Sequence, residues 1–308
     1  MEHAHYSFVT VAYPGEIGFM HLQARSIALH VPRHLVQEII IIENTPPAFP
    51  ETWRDKVRED YGVHRDDVRF LAANAIADIP QHCGGWFSQQ VLKLMVANHL
   101  KAPRYLLLDA KNHFVFPLSR SHLEKDGKPR TYTHDYLSHP LLRYLDPILD
   151  YFRLPREHNA HFLPTVTPFV VDSALIREMI VTLKTKERRP FEDIFLRSSV
   201  RFTEFFMIGA YILSKKKRFE DYYDLSGCGN VTIWPRDAPH EEIVGRKIMH
   251  SESQKTPVFA VHRAAFPLLT EGGRQALATF WLQRNLFSNP PAAFRFAADP
   301  NTGWAVPH

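Results

Sequence analysis

The chain has 308 residues, of which 45% are hydrophobic and 23% charged, enough apolar content for a substantial core and unlike the composition of a disordered chain. Its formal net charge of +4 suits phosphorylated substrates and loose docking at an anionic membrane surface, and is too small and dispersed to indicate nucleic acid. Cys83 and Cys228 are the only cysteines, so neither a disulfide framework nor a cysteine zinc site is expected. Met1-Glu2-His3-Ala4-His5 lacks the apolar run of a leader, and no stretch approaches the ~20 apolar residues that span a bilayer, so the chain reads as cytoplasmic.

The segment from Tyr6 to Tyr13 is rich in strand formers and is ended by Pro14-Gly15. Helical spacing follows from Ile17 to Leu29 and stops before Pro32. Glu38 to Ile42 carries four isoleucines in succession, a strand apolar on both faces, as parallel strands covered by helices are. Glu43-Asn44-Thr45-Pro46-Pro47 then forms a polar loop. Val68 to Ala73 is a third strand. Trp86 to Leu100 is a helix with Val91, Leu94, Met95 and Leu100 inward and Gln89, Gln90 and Lys93 outward. Arg104 to Leu108 is a fourth strand that runs directly into Asp109.

Strands alternating with helices in this way imply βαβ units and a mostly parallel sheet flanked by helices. Beyond Pro117 the pattern is mixed: a polar loop to about Thr133, helices near Leu141 to Phe152, Ser173 to Leu183 and Arg201 to Leu213, and strands at Thr165 to Val171 and Pro257 to Val261. The basic cluster Lys215-Lys216-Lys217-Arg218 reads as a solvated helix end. A closing helix spans Gly273 to Leu286. Nothing marks a linker, which leaves one domain over residues 1–308 with a break in character near residue 117.

Ligands of such sheets sit outside the carboxyl ends of the strands. The polar residues falling there are Thr10, Tyr13, Glu43, Asn44, Asp109, Lys111 and Asn112. If the chain stays extended after Asp109, then Asp109, Lys111 and His113 point to one side. They are either ordinary turn residues or a site in which a lysine neutralises phosphate as a point charge. Gln89, Gln90 and Lys93 share a helical face that fits a phosphate-side wall and a solvated face almost equally. Gly84-Gly85 before them permits a close approach or an unusual turn. Glu204, heading an apolar helix, is either a first-turn stabiliser or a desolvated general base. Among the histidines, His134 with His139 and His158 with His161 have the spacing of ligand pairs without a zinc-protease frame. No nucleophile elbow, P-loop or dinucleotide fingerprint is present.

The run Gly85-Trp86, Gln89-Gln90, Lys93-Leu94 and Tyr105-Leu106-Leu107-Leu108-Asp109, followed by Thr167-Pro168-Phe169, Thr203-Glu204 and Val261-His262-Arg263, resembles a poorly characterised bacterial glycosyltransferase-like family. That family looks like the GT-A nucleotide-sugar transferases and is associated with capsule and surface-polysaccharide systems. The resemblance implies a GT-A-like fold with a nucleotide-binding half to about residue 117 and an acceptor-side half beyond it. Asp109-Ala110-Lys111 matches the Asp-x-Asp position, with Lys111 replacing the second aspartate. Thr167-Pro168-Phe169 takes the place of the loop lining the donor sugar, Glu204 that of the acceptor-side base, and His262 that of a late histidine on the metal or diphosphate. Two cofactor readings stay open: Lys111 replaces the cation, or Asp109 and His262, with Asn112, hold Mn²⁺ or Mg²⁺.

The expected activity is transfer of a sugar from a nucleotide diphosphate donor, a UDP-sugar by preference, to a hydroxyl of a bacterial surface or capsular glycan. Thr10, Tyr13, Glu43 and Asn44 would surround base and ribose. Asp109 would orient ribose or sugar, and Gln90, Asn112 and Thr167 would line the donor site. Lys111, Lys93 and His262 would stabilise the departing diphosphate, and Glu204 would take the acceptor proton. The rival reading is a non-catalytic module that binds a nucleotide sugar or a partner protein within a polysaccharide assembly system.

Overall fold

Alternation along the first strands sorts their side chains into two separate cores. The computed structural model describes residues 6–45, 48–80, 83–227 and 229–302. Met1 to His5, Pro46 and Pro47 of the second loop, and Cys228 lie outside the described residues. Strand β1 (Tyr6–Ala12) is buried throughout, and β2 (Val36–Glu43) is buried at every position but Gln37. With β3 (Val68–Ala72) and β4 (Arg104–Asp109) they form a parallel sheet in the order β3-β2-β1-β4. Phe8, Ile39 and Leu106 stand in register and enter one core, while their neighbours Val9, Ile40 and Leu107 enter the other. The isoleucine run is therefore covered on both faces, as its composition predicts.

After β4 the chain turns into the short β5 (Asn112–Phe114). The stretch expected as a plain polar loop contains a small hairpin, β6 (Glu124–Lys125) and β7 (Lys128–Pro129). Strand β8 (Phe169–Asp172) closes the main sheet antiparallel to β4. It is shorter than the Thr165 to Val171 segment expected, beginning only after Pro168, which has no N–H to donate to a ladder. β9 (Val231–Ile233) and β10 (Val258–Val261) join β5 in a second sheet, ordered β5-β10-β9. The late strand thus belongs to this sheet and brings His262 back beside the end of β4.

The helices are α1 (Ile17–His30), α2 (Glu51–Asp60), α3 (Gly85–Met95), α4 (Arg120–Leu123), α5 (Leu142–Phe152), α6 (Ser173–Glu187), α7 (Phe191–Leu196), α8 (Glu204–Ser214), α9 (Phe219–Tyr222), α10 (Glu241–Gln254), α11 (Glu271–Gln283) and α12 (Pro290–Ala298). α1, α2, α10, α11 and α12 pack their apolar residues into the core around Trp281. α3, α5, α6, α7 and α8 cover the opposite face around Phe206. α8 starts at Glu204 rather than Arg201, because Thr203 is extended at φ −127° and ψ 148°. Lys215 caps its C-terminus and pairs with Glu178. No helix among the described residues is long and apolar enough to cross a membrane.

Candidate functional site

The turn after β4 is held from below by side chains that were expected to contact ligand. Asn112 Oδ1 accepts the Asp109 N–H at 2.7 Å, and Asn112 Nδ2 donates to Thr167 O at 3.2 Å. Gln23 of α1 donates to Asp109 O at 2.9 Å and Asn112 O at 3.0 Å, and its own Oε1 accepts from the Thr10 hydroxyl at 2.8 Å. Thr10, Asn112 and Thr167 are therefore buried under the turn and do not line the cleft above it. The Thr10 and Asn112 side chains and the Thr167 carbonyl brace the backbone, since a buried amide or carbonyl without a partner is costly.

Above the turn, a cleft of about 590 Å³ opens at the carboxyl ends of the parallel strands. Asp109 sits in its floor between two lysines. Lys93 Nζ lies 2.8 Å from Asp109 Oδ1, and Lys111 Nζ pairs with Asp109 Oδ2. Lys93 also reaches Glu204 Oε1 at 3.2 Å. Glu204, Lys93, Asp109 and Lys111 thus form a continuous chain of alternating charge across the cleft. Of the two readings of that helical face, the solvated one does not hold for Lys93 and Gln90: both are buried, because α3 packs against β1 and α8.

Burial by itself would lower the pKa of Lys93, but the carboxylates of Asp109 and Glu204 overcome it and hold the ammonium form. Burial acts on Asp109 in the upward direction and is outweighed by Lys111 and Lys93, so its carboxyl stays well below the usual range. Glu204 is shifted the other way: desolvation raises it despite Lys93, as a group that accepts a proton near neutral pH requires. Gln90 Oε1 and Thr203 Oγ1 line the same cleft, are buried and have no partner among the described residues, which marks acceptor and donor positions open to a ligand.

Tyr13 and His262 also line the cleft. His262 Nδ1 accepts the Ala264 N–H at 3.2 Å. Burial, followed by Lys111 and Arg263, lowers its pKa, so the neutral ring carries its proton on Nε2 by this hydrogen-bond assignment. Its ring lies 5.6 Å from that of Trp234, over which Lys111 Nζ sits at 5.9 Å. His113 departs from the expected alternation. Ala110 and Lys111 form a turn, so His113 points into the core, where its Nε2 accepts from Trp281 Nε1 at 2.9 Å and burial lowers its pKa to about 4.

Glu43 and Asn44 stand at the carboxyl end of β2 without facing the cleft. Arg54 of α2 holds both Glu43 oxygens, at 2.9 and 2.7 Å, and Asn44 donates to Ser88 Oγ at 2.8 Å. Pairing within the protein removes both from the expected base-and-ribose wall. Gly84 and Gly85 do not have positive φ. A Cβ at either would meet nothing within 4 Å, so at Gly85, which lines the cleft, the bare backbone leaves room for a ligand.

The cleft contains residues the sequence reading did not assign: Glu16, Trp86, Thr165, Trp234 and Arg263. Glu16 follows β1, where the strand-end rule points, and burial pushes its pKa up to about 7, with Asp109 adding to the shift. Arg263 lies over the Tyr13 ring at 5.1 Å. Two carboxylates and two ammonium groups balance within the Asp109 network, and Arg263 adds a cation outside it, facing the Glu16 carboxyl.

Both Asp109 oxygens face ammonium groups, His262 Nδ1 is engaged, and no group of three or more His, Cys, Asp or Glu among the described residues could hold a metal.

The fold is similar to that of a solved glycosyltransferase. A crystal structure of an active-site mutant of LgtC aligns with a TM-score of 0.52 at 12% identity, covering 94% of this chain and 99% of that one. The apo glycosyltransferase GlyE of Streptococcus pneumoniae TIGR4 gives a TM-score of 0.43 at 12% identity, and the bifunctional glycosyltransferase WbbM 0.49 at 9%. This chain spans 62% of the length of GlyE and 45% of that of WbbM. At such identities the likeness concerns the fold, which is GT-A-like: a mostly parallel sheet between helical layers, followed by a mixed half. No curated protein matches the sequence. Residues 12–244 match the family described as a family of unknown function, DUF6492, and the chain belongs to that family.

Proposed function

We propose that this chain is a glycosyltransferase that moves a sugar from a nucleotide diphosphate donor, a UDP-sugar by preference, to a hydroxyl of a bacterial surface or capsular glycan. The observation that supports this reading is the alternating network Glu204–Lys93–Asp109–Lys111 in a cleft at the carboxyl ends of the sheet.

The donor diphosphate lies toward Lys111, His262 and Arg263, and Trp86 and Tyr13 offer aromatic faces to base or sugar. The acceptor hydroxyl oxygen attacks the anomeric carbon, and its proton passes to Glu204. The bond from that carbon to the diphosphate oxygen breaks, and the leaving group carries away the electron pair. Cations fixed where that charge grows lower the barrier, and they need no reorganisation at the moment of reaction. Lys93 keeps Asp109 ionised and oriented while holding Glu204 in place. This is the inverting course; in a retaining course Glu204 would position the acceptor or stabilise positive charge on the sugar. No metal step is needed in either.

The rival, a module that binds a nucleotide sugar without turning it over, is favoured by one feature: Lys111 is already paired with Asp109. Calorimetric titration with UDP, GDP, CDP and ADP, in Mn²⁺ and in EDTA, tests the reading. Selective binding that survives EDTA and weakens in Lys111→Ala supports a metal-independent donor site. Binding only with Mn²⁺ returns the metal to Asp109 and His262. Absence of binding under both conditions rejects a nucleotide-sugar site, and affinity without donor hydrolysis or transfer supports the rival.

A further inference from the structure

A second cavity opens beside the cleft, between α10 and β9, the edge strand of the smaller sheet. It is an open groove of about 760 Å³ in which Arg246, His250 and Lys255 are solvent-exposed. Its charged lining is entirely basic, Arg246, Lys247 and Lys255, beside the imidazoles of His122 and His250, with no carboxylate among the residues that line it. Arg246 and His250 are four apart on α10 and share a face. Lys255 follows in the left-handed conformation at φ 47°, which ends the helix.

Lys247 is used locally. Its Nζ donates to Asp237 Oδ2 at 2.5 Å and to Thr232 O at 2.6 Å. Arg246 and Lys255 form no ion pair among the described residues, so the cavity keeps positive charge that the protein does not neutralise. Such a wall rewards an anion and gives a neutral sugar little. Trp234 lines both this cavity and the cleft. On the cleft side its ring is next to Lys111 and His262, so a ligand reaching past Trp234 arrives beside the groups assigned to the departing diphosphate.

We propose that this cavity is the acceptor subsite and that the acceptor is an anionic glycan, its phosphate or carboxylate held by Arg246 and Lys255 and its reactive hydroxyl directed past Trp234. This rests on the transferase reading in its retaining course, because a hydroxyl arriving beside Lys111 and His262 meets the anomeric carbon on the face of the departing diphosphate. Calorimetry with glucose 6-phosphate, glucuronate and glucose, on the wild type and on an Arg246→Glu/Lys255→Glu double variant, tests it. One or both anions bind, glucose at the same concentration does not, and affinity falls roughly tenfold or more in the double variant; the tighter anion identifies the recognised group. Equal binding of glucose, unchanged affinity in the double variant, or no anion binding at millimolar concentration overturns the proposal. UDP titrated into the same proteins separates the two readings. Loss of UDP binding in a folded double variant makes the cavity part of the donor site and overturns the acceptor assignment. Wild-type protein that binds the anionic sugars but no nucleoside diphosphate rejects the transferase reading while leaving the anion site in place.

Discussion

Lys93 Nζ lies 2.8 Å from Asp109 Oδ1, so a lysine from the last turn of α3 neutralises the aspartate that ends the fourth strand. Because the same ammonium also meets Glu204, one buried cation holds two carboxylates in a common cleft. The stability of the fold and the chemistry of the site are coupled through that atom.

Lys93→Met removes the cation and leaves Asp109 and Glu204 buried with less compensation. Breaking a buried pair by deleting one partner costs about 3–5 kcal/mol, so the urea midpoint falls sharply. Adding Glu204→Gln to Lys93→Met recovers part of the loss, since one of the stranded charges is gone. A Lys93→Met variant as stable as wild type would show that the network contributes nothing to folding.

Glu204→Gln keeps the hydrogen-bonding shape and removes the base. Transfer or donor hydrolysis drops by about 10²–10⁴-fold, the usual contribution of a positioned general base, while nucleoside diphosphate affinity stays close to wild type. Turnover near the wild-type rate would remove Glu204 from the proton-transfer role.

Arg263→Ala deletes the cation that the Asp109 network does not balance. Nucleoside diphosphate affinity weakens by roughly 10–100-fold, the size of a lost hydrogen bond between charged groups, and binding becomes less sensitive to salt. Calorimetric titrations at two salt concentrations measure both effects. Unchanged affinity would place the diphosphate elsewhere in the cleft.

Glu16 gives a pH signature. Burial raises its pKa from 4.5 to about 7, so the folded state binds this proton more tightly than the unfolded chain. Wild-type stability therefore declines as pH rises from about 4.5 to about 7 and the contribution levels off above that. Glu16→Gln lacks this loss, so its urea midpoint relative to wild type is higher at pH 8 than at pH 5. A difference that does not change with pH would show that Glu16 is not desolvated in solution.

The parts of the fold that were legible are those in which burial covers an element's whole apolar pattern. The isoleucine strand reads directly as covered on both faces, and Arg104 to Leu108 as a strand that runs into Asp109. α2 did not read as a helix: its sequence Glu51 to Asp60 is dominated by charges, and only Trp53 and Val57 are buried. α10 buries Val244, Ile248 and Ser251 on an otherwise polar helix and was equally hard to read. Lys93 was assigned to the donor site but placed on an outward face, because helical spacing shows which residues share a side and not what that side meets.

The sequence by itself determined that parallel strands end near a polar turn at Asp109, because strand periodicity and the carboxyl-end rule follow from local chain geometry. Which of the polar residues near those ends remain available was decided only by tertiary structure. Arg54 takes Glu43, Gln23 takes Thr10, and Asn112 turns under Asp109. Glu204 reaches Lys93 across 111 residues of sequence, and Arg263 enters the same cleft from the far end of the second sheet. A buried polar group must find a partner, and the partner depends on which distant elements pack together rather than on the residues beside it in the chain.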